Sequence, residues 1–198
     1  MSQVLLISGH PDLASSYANR RILEAVAAAR PEIALRRLDQ LYPGYAVDVE
    51  AEQEALLAAE IVVLQFPFYW YSVPAILKNW IDAVLTYGFA YGSGGDKLKG
   101  KPLLPSVTVG SPEDCYQTLG YNNFTLEELL RPVKQTALMA QMHYQSPVMT
   151  CGMIYVPGVL NTEEGILQRA DAHATRLLAR IAQIQTEGCD LPLSKKLW

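Results

Sequence analysis

The segment IVVLQFPFYWYSVPAILKNWID, residues 61–82, decides the fold of this chain. Its apolar run, Ile61–Gln65, predicts a buried strand, and Pro74–Leu85 predicts a helix with Pro74 setting φ at its first position. Five aromatic residues follow or end the strand: Phe66, Phe68, Tyr69, Trp70 and Tyr71. Ligands of α/β proteins bind at the carboxyl ends of strands, so this loop predicts a wall for a planar aromatic cofactor. The alternative is a hydrophobic plug at a dimer interface, where aromatic residues are also enriched.

Short apolar runs alternate with longer amphipathic runs along the whole chain. The spacing predicts strands at Val4–Ser8, Ile33–Leu38, Ile61–Gln65, Leu103–Val109 and Ser146–Met153. It predicts helices at Ser15–Arg30, Ala51–Ala59, Pro74–Leu85, Leu126–Gln141 and Thr162–Gln185, the last capped by Thr162. This alternation predicts a single α/β domain, residues 1–185, built on a doubly wound five-stranded parallel sheet with helices on both faces. Residues 186–198 are expected to form a loosely packed C-terminal tail.

Composition narrows the class of protein further. The chain has 198 residues, of which 50% are hydrophobic and 18% charged, which suits one well-packed domain. A net charge of −4 disfavours a nucleic-acid partner. Its three cysteines and three histidines are scattered, so we expect no metal site and a reducing compartment. The sequence shows neither a signal peptide nor an apolar run of about 18 residues, so a cytoplasmic location is expected.

The first predicted strand ends in a turn rich in small and polar residues, Ser8-Gly9-His10-Pro11-Asp12-Leu13-Ala14-Ser15-Ser16. Such a turn at the start of a helix exposes backbone N–H groups at the positive end of the helix dipole, where anions bind. His10, Ser15 and Ser16 add donors for a phosphate. The turn matches neither a Walker A loop nor GxGxxG. The alternative is an ordinary helix cap made by Ser15 or Asp12.

A third loop, Thr108-Val109-Gly110-Ser111, follows the fourth predicted strand, and Gly110 would allow close approach of a ligand to the backbone. In a doubly wound sheet the loops after strands one, three and four meet in one crevice. Phosphate donors, an aromatic wall and a close backbone would then face one cavity. Flavin mononucleotide (FMN) has a phosphate, a flat isoalloxazine ring and a polar pyrimidine edge that suit these three features. FAD is the alternative, but the chain shows no obvious segment to hold an adenine.

Three groups of residues together resemble the flavodoxin-like NAD(P)H:quinone oxidoreductases, the family of DT-diaphorase. They are His10-Pro11 with Ser16 and Asn19, Pro67-x-x-Trp70-Tyr71-Ser72-x-Pro74 through Trp80-Ile81-Asp82, and Gly88-Phe89-Ala90-Tyr91-Gly92 through Gly100-Lys101 with Thr108-x-Gly110. Within that family the chain is most similar to small bacterial ancillary flavoproteins of glutathione-gated potassium efflux antiporters. That likeness rests on Leu41-Tyr42-Pro43, Leu130-Arg131-Pro132, Met142-His143 and Ser146-Pro147.

The resemblance implies a set of cofactor-binding residues. The flavin phosphate and ribityl chain would be held by His10, Ser16, Tyr17, Ala18 and Asn19. The flavin ring would be lined by Phe68, Tyr69, Trp70 and Tyr71, and its polar edge would meet Thr108, Val109, Gly110 and Ser111. Tyr116 matches a tyrosine beside the hydride-transfer site. Asn122 stands where the family has a histidine.

The resemblance also implies an activity and partners. Hydride would pass from NAD(P)H to flavin N5 and then to a quinone in a ping-pong cycle, and a homodimer would complete the site. A regulatory subunit that docks on a potassium efflux antiporter, peripheral to the inner membrane, is the alternative function. An electron-carrying flavodoxin is a third interpretation, which the enclosed slot predicted by the aromatic loop and residues 88–100 disfavours.

Overall fold

The structure, a computed structural model, describes residues 3–187 as a three-layer α/β fold. Its parallel sheet has the order β2-β1-β3-β4-β5, and a sixth short strand, β6, continues along β4 beyond β5. The strands are β1 (Val4–Ser8), β2 (Ala34–Arg37), β3 (Ile61–Pro67), β4 (Pro102–Thr108), β5 (His143–Tyr144) and β6 (Val148–Thr150). This confirms the predicted fold class. Most of the predicted tail, with Cys189, lies outside the described residues.

The three central strands, β1, β3 and β4, are buried along their whole length. Helices cover both faces of the sheet, which explains why these strands read as continuous apolar runs. The described helices are α1 (Tyr17–Ala29), α2 (Leu38–Leu41), α3 (Val49–Ala58), α4 (Ala75–Val84), α5 (Leu126–Leu129), α6 (Arg131–Met139) and α7 (Glu163–Glu187). Two further segments, Leu13–Ser15 and Glu113–Cys115, are 3₁₀ turns.

The sheet separates two apolar cores. Helices α1 and α7 pack together on one face, where Ile22, Leu177 and Ile181 are completely buried. The other face is covered by α3, α4 and α6. The Glu52 carboxylate lies buried within this second layer and accepts hydrogen bonds from Tyr42 Oη at 2.6 Å and Trp80 Nε1 at 2.9 Å. Because Trp80 lies on α4, this carboxylate helps to fix the helix that follows the aromatic loop.

Two predicted elements are divided in the structure. The predicted helix Leu126–Gln141 is interrupted at Leu130, where Pro132 enters the first turn of α6, and proline cannot supply an N–H to a continuing helix. The predicted strand Ser146–Met153 begins earlier, at His143, and is split into β5 and β6. Pro147 lies in the gap between them, where it removes a ladder donor.

The sheet order places the site. Strand β1 lies between β2 and β3, so the chain runs outward from β1 to β2 in one direction and then, after crossing back, from β3 to β4 and β5 in the other. The loops after β1 and β3 therefore separate and leave a crevice at their carboxyl ends. Within residues 3–187, no helix is both long and apolar enough to cross a membrane.

Candidate functional site

The N-terminus of α1 opens into the crevice after β1. Ser16 caps the helix, and its Oγ accepts hydrogen bonds from both the backbone N and the Nδ2 of Asn19, each at 3.1 Å. Asp12 caps the preceding 3₁₀ turn. Asp12 and Ser16 thus both act as ordinary caps, as the alternative had it for Asp12, whereas Ser15 caps neither element. Since the first amides of a helix have no acceptor within it, those of Tyr17 and Ala18 remain available to an anion.

His10 is buried behind this helix start and connects it to the aromatic loop. Its Nδ1 accepts a hydrogen bond from the backbone N–H of Asp12 at 3.1 Å, and its Nε2 lies 3.4 Å from Tyr69 Oη. Burial lowers the pKa of His10, against the opposing effect of Asp12 and Asp39. A neutral ring that accepts at Nδ1 carries its proton on Nε2, so His10 is a donor on the side of the crevice.

A buried polar network joins the carboxyl ends of the three central strands. The Asn19 Oδ1 accepts hydrogen bonds from Thr108 Oγ1 at 3.0 Å and from Gln65 Nε2, and Gln65 Oε1 accepts one from Ser8 Oγ at 3.5 Å. These four side chains are at most 4% exposed. Because they belong to α1, β4, β3 and β1, the network fixes the three loops relative to one another.

Ser8 and Gln65 were not identified from the sequence as members of the site. Both are polar residues at the ends of otherwise apolar strands, and both are completely buried. Since a buried polar group needs a partner, a glutamine after Ile61-Val62-Val63-Leu64 was a usable signal that polar groups meet there.

The aromatic loop forms a tight turn that projects over the crevice. Tyr69 and Ser72 exchange backbone hydrogen bonds at 3.1 and 3.0 Å, and Trp70 and Tyr71 have φ of +47° and +63°. Positive φ at both central positions defines a type I′ turn. The Trp70 side chain is 91% exposed, and Tyr69 and Tyr71 are about half exposed. Three aromatic side chains are therefore left wholly or half uncovered by the chain at the carboxyl end of β3.

Two of the five aromatic residues serve the core instead. Strand β3 extends to Pro67, so Phe66 belongs to the strand and is completely buried. Phe68 is also buried, and its ring packs edge-to-face on Tyr116 with 6.4 Å between ring centroids. Phe68 therefore supports the wall from behind.

The loop after β4 is held by the strand beside it. Val109 N donates to Thr150 O at 2.8 Å, and Gly152 N donates to Ser111 O at 2.9 Å. A methyl group added at Gly110 would lie 3.7 Å from Ile154 Cβ, an ordinary contact. The packing of the chain itself therefore does not require glycine at this position, and the prediction that Gly110 meets a ligand stays a prediction.

Tyr116 and Asn122 lie together beside the aromatic loop. Asn122 N donates to Cys115 O at 2.9 Å, and the Asn122 Oδ1 accepts a hydrogen bond from Tyr71 Oη at 3.2 Å. Burial raises the pKa of Tyr116, against a smaller opposing effect of Ser111. Tyr116 is therefore a neutral donor at neutral pH. Asn122 is buried, and its Nδ2 has no hydrogen-bond partner among residues 3–187.

These residues suit FMN. The free amides at the start of α1 match a phosphate, and the exposed aromatic side chains of Tyr69 to Tyr71 match a flat ring. The unpaired Asn122 Nδ2 marks a position where the site lacks an acceptor atom. Among the described residues, no three His, Cys, Asp or Glu side chains lie together as metal ligands would.

The fold and this crevice define a flavodoxin-like protein. The family model described as a flavodoxin-like fold matches residues 2–177, and the chain belongs to that family. It is 43% identical over 142 residues to the uncharacterized NAD(P)H oxidoreductase YdeQ of Bacillus subtilis, covering 72% of each chain. It is 41% identical over 147 residues to the glutathione-regulated potassium-efflux system ancillary protein KefG of Serratia proteamaculans, covering 74% of this chain and 80% of the relative.

Solved structures give the same family. The general stress protein 14 of Treponema denticola, solved in complex with FMN, superposes with a TM-score of 0.83 at 32% identity over 92% of this chain and 99% of that one. An NADPH-quinone reductase from P. pentosaceus superposes with a TM-score of 0.73 at 30% identity over 88% of this chain and 96% of that one. The predicted resemblance to flavodoxin-like NAD(P)H oxidoreductases is thus confirmed.

Proposed function

We propose that this protein is an NAD(P)H:quinone oxidoreductase that uses FMN. The observation that carries the proposal is the buried network of Ser8, Asn19, Gln65 and Thr108, which fixes an anion-binding helix start and an aromatic wall around one crevice. The FMN complex of the Treponema denticola protein and the NADPH-quinone reductase from P. pentosaceus support the cofactor and the reaction class. FAD remains the alternative cofactor.

The residues would divide the work as follows. When bound, FMN supplies two-electron chemistry between NAD(P)H and a quinone. The amides of Tyr17 and Ala18, with Ser16, Asn19 and His10, would hold the phosphate and ribityl chain. The ring would rest on Phe68, Tyr69, Trp70 and Tyr71, and its polar edge would meet Thr108, Val109, Gly110 and Ser111. Tyr116, kept neutral by burial, would donate a hydrogen bond to the quinone oxygen.

We also propose a homodimer in the cytoplasm. Large apolar side chains are strongly exposed in the loops that surround the crevice: Trp70, Leu119, Tyr121 and Val159. A monomer rarely exposes so many large apolar side chains at one end of its sheet. A second copy that covers them would also exclude water from the crevice.

The test is steady-state oxidation of NADH and NADPH by FMN-reconstituted protein with 1,4-naphthoquinone as acceptor. We expect turnover that depends on both substrates with the parallel double-reciprocal lines of a ping-pong mechanism, since both would use one slot. The absence of turnover with either nucleotide, in protein that retains FMN, would contradict the proposal.

The second candidate function is an ancillary subunit of a potassium efflux antiporter, peripheral to the membrane. It rests on the 41% identity to the Serratia proteamaculans protein, whose name states that role. Protein of this class would bind FMN and associate with the transporter, and its regulatory effect would persist in a variant without turnover. The two functions are compatible, and the kinetic assay decides only the enzymatic one.

A further inference from the structure

The turn that leads from β1 to α1 is tied at its middle to a different element. The Leu13 backbone N–H donates a hydrogen bond to Asp39 Oδ2 at 3.2 Å, across 26 positions of the chain. Asp39 belongs to α2, which follows the neighbouring strand β2. Apart from the 3₁₀ segment Leu13–Ser15, residues 9–16 form no helix or strand. Because the turn has so little regular structure of its own, the contact with Asp39 limits how far it can move.

Arg37 orients the Asp39 carboxylate. The Arg37 Nη2 donates to Asp39 Oδ2 at 2.8 Å, and the Nε donates to Asp39 Oδ1 at 3.3 Å, so the guanidinium contacts both oxygens. The Asp39 side chain is 9% exposed. A two-point contact of this kind fixes the direction of a carboxylate as well as neutralising its charge. The Oδ2 atom is thereby held where the Leu13 N–H reaches it.

The turn joins the two sets of donors that we assign to the flavin phosphate. His10 lies at its beginning, and the free amides of Tyr17 and Ala18 follow its end. Leu13 lies between them, with its side chain buried in the core that α1 and α7 share. A shift of Leu13 would change the separation between His10 and the helix start. Donors that must rearrange on binding give less affinity than donors that are already in place.

The charge of Asp39 does not by itself favour a phosphate. The carboxylate lies near enough to affect His10, because burial lowers the pKa of His10 while Asp12 and Asp39 raise it. An uncompensated negative charge at such a distance repels an anion. The ion pair with Arg37 offsets that charge. The presence of a carboxylate beside this turn is therefore explained by the hydrogen bond that it accepts from Leu13.

We propose that Asp39 is a positioning residue for the flavin phosphate. Its carboxylate, oriented by Arg37, holds the Leu13 N–H and thereby keeps His10 and the start of α1 at the separation that one phosphate requires. Asp39 acts through the turn and not by contact with the flavin. This inference rests on the proposed function, because it concerns how the same crevice retains its cofactor.

The affinities of one protein for FMN and riboflavin isolate the phosphate, since riboflavin has the same ring and ribityl chain without it. Apoprotein is titrated with each flavin, and quenching of flavin fluorescence gives the two Kd values. We expect the wild type to bind FMN about a hundredfold more tightly than riboflavin, as several charge-assisted hydrogen bonds would supply. In Asp39→Ala this preference should fall by about tenfold, with riboflavin affinity unchanged. A general loss of stability would instead weaken the binding of both flavins equally.

Two further variants separate the hydrogen bond from the charge. Asp39→Asn keeps an oxygen acceptor for the Leu13 N–H and removes the negative charge, so its preference for FMN should equal or exceed that of the wild type. Asp48→Ala is the matched control, because Asp48 also accepts a backbone N–H, from Ala51 at 3.1 Å, but in the first turn of α3. It loses one carboxylate and one such bond outside residues 9–16, so its preference should match that of the wild type.

The outcomes distinguish this inference from the proposed function. A wild-type preference in folded Asp39→Ala would overturn the inference, and so would an Asp39→Asn preference as low as that of Asp39→Ala. If Asp39→Ala does not fold, Asp39→Leu takes its place, since leucine fills the site without offering an acceptor. Equal binding of FMN and riboflavin by the wild type would overturn the inference and leave a flavin site. Binding of neither flavin would contradict the proposed function, and the inference with it.

Discussion

At the scale of single residues, the most unusual feature is a pair of bulky aromatic residues in left-handed backbone conformations. Trp70 and Tyr71 occupy positions of a type I′ turn that glycine and asparagine normally fill. Each costs about 1–2 kcal/mol relative to ordinary backbone geometry. The strain at Tyr71 is offset in part by the hydrogen bond from its hydroxyl to Asn122. Trp70 is 91% exposed and has no such compensating contact. A side chain with this geometry and almost no cover is explained by a ligand or a partner that packs on it.

Replacing Trp70 with glycine separates these roles. Glycine relieves about 1–2 kcal/mol of backbone strain, loses little packing and costs about 0.5–1 kcal/mol in unfolded-chain entropy, so the free energy of unfolding of Trp70→Gly should equal that of the wild type or exceed it by about 1 kcal/mol. FMN binding should weaken by about 1–3 kcal/mol, by analogy with stacking of bases on aromatic side chains. Urea unfolding of the apoprotein and fluorescence titration with FMN measure the two quantities.

Leu119 provides the control for the Trp70 experiment. It is as exposed as Trp70 and also has a positive φ, but it lies on the segment after β4. Because Leu119 belongs to the proposed dimer surface but not to the aromatic turn, Leu119→Gly should weaken FMN binding less than Trp70→Gly does, and equal losses would assign both side chains to the interface. If Trp70→Gly bound FMN as tightly as the wild type, the tryptophan would be assigned to a protein interface instead.

At the scale of elements, α7 is joined to the sheet through His173. This residue is completely buried, with Nε2 at 2.8 Å from Ser106 Oγ of β4 and Nδ1 at 2.7 Å from Thr150 Oγ1 of β6. Thr150 O in turn accepts the hydrogen bond from Val109 N. The long helix therefore supports, through one side chain, the loop that we assign to the polar edge of the flavin.

His173 should make the stability of the protein depend on pH. Burial, with a smaller effect of Arg176, lowers the pKa of His173 to about 4 from 6.5. The unfolded chain therefore binds a proton more readily, and His173 should lower the free energy of unfolding as pH falls from 6.5 to about 4, by about 3 kcal/mol. His173→Gln should show a shallower decline over that range in urea titrations.

The quantity that tests His173 is the steepness with which the free energy of unfolding falls with pH in the wild type and in His173→Gln, and not the absolute stability of either protein. Glutamine cannot bridge two hydroxyls as imidazole does, so His173→Gln is expected to be less stable at pH 7 than the wild type. Burial lowers the pKa of His10 as well, so part of the decline should remain in the variant. Equal slopes in the two proteins would show that His173 is not the group that titrates.

Local patterns were sufficient to predict most elements. Apolar runs located every strand to within a few residues, and Thr162 caps α7 as predicted, with its Oγ1 accepting from Gly165 N at 3.1 Å. The break at Leu130 could have been found from Pro132. The division of the last strand could not, because it depends on which residues of β4 remain free to pair.

The site was predictable only in part, for a physical reason. Ser16, Asn19 and Thr108 stood at helix starts and strand ends, where a pattern directs attention. The partnership of Tyr71 with Asn122 spans 51 positions and depends on the turn geometry. Gln65 could have signalled that polar groups meet at the end of β3, but its partners Asn19 and Ser8 could not be named from the sequence. Long-range polar contacts of this kind leave no periodic trace in a sequence.

At the scale of the whole molecule, the order of the strands determines where chemistry can occur. The loops after β1, β3 and β4 share one end of the sheet, and a buried network ties them together. The strongly exposed apolar side chains Trp70, Leu119, Tyr121 and Val159 lie in the loops around the same end. One end of the molecule thus carries the helix start, the aromatic turn and the exposed apolar side chains that we propose to bind FMN and a second copy, while the helices cover both faces of the sheet.

The measurement that tests this account most directly is the visible absorption spectrum of the purified protein, reconstituted with FMN and titrated anaerobically with NADPH or NADH. We predict a bound-flavin spectrum that bleaches on addition of the nucleotide and returns when a quinone is added. A flavin spectrum that does not bleach would contradict the enzymatic proposal. Failure to bind either FMN or FAD would contradict the central claim that this crevice is a flavin site.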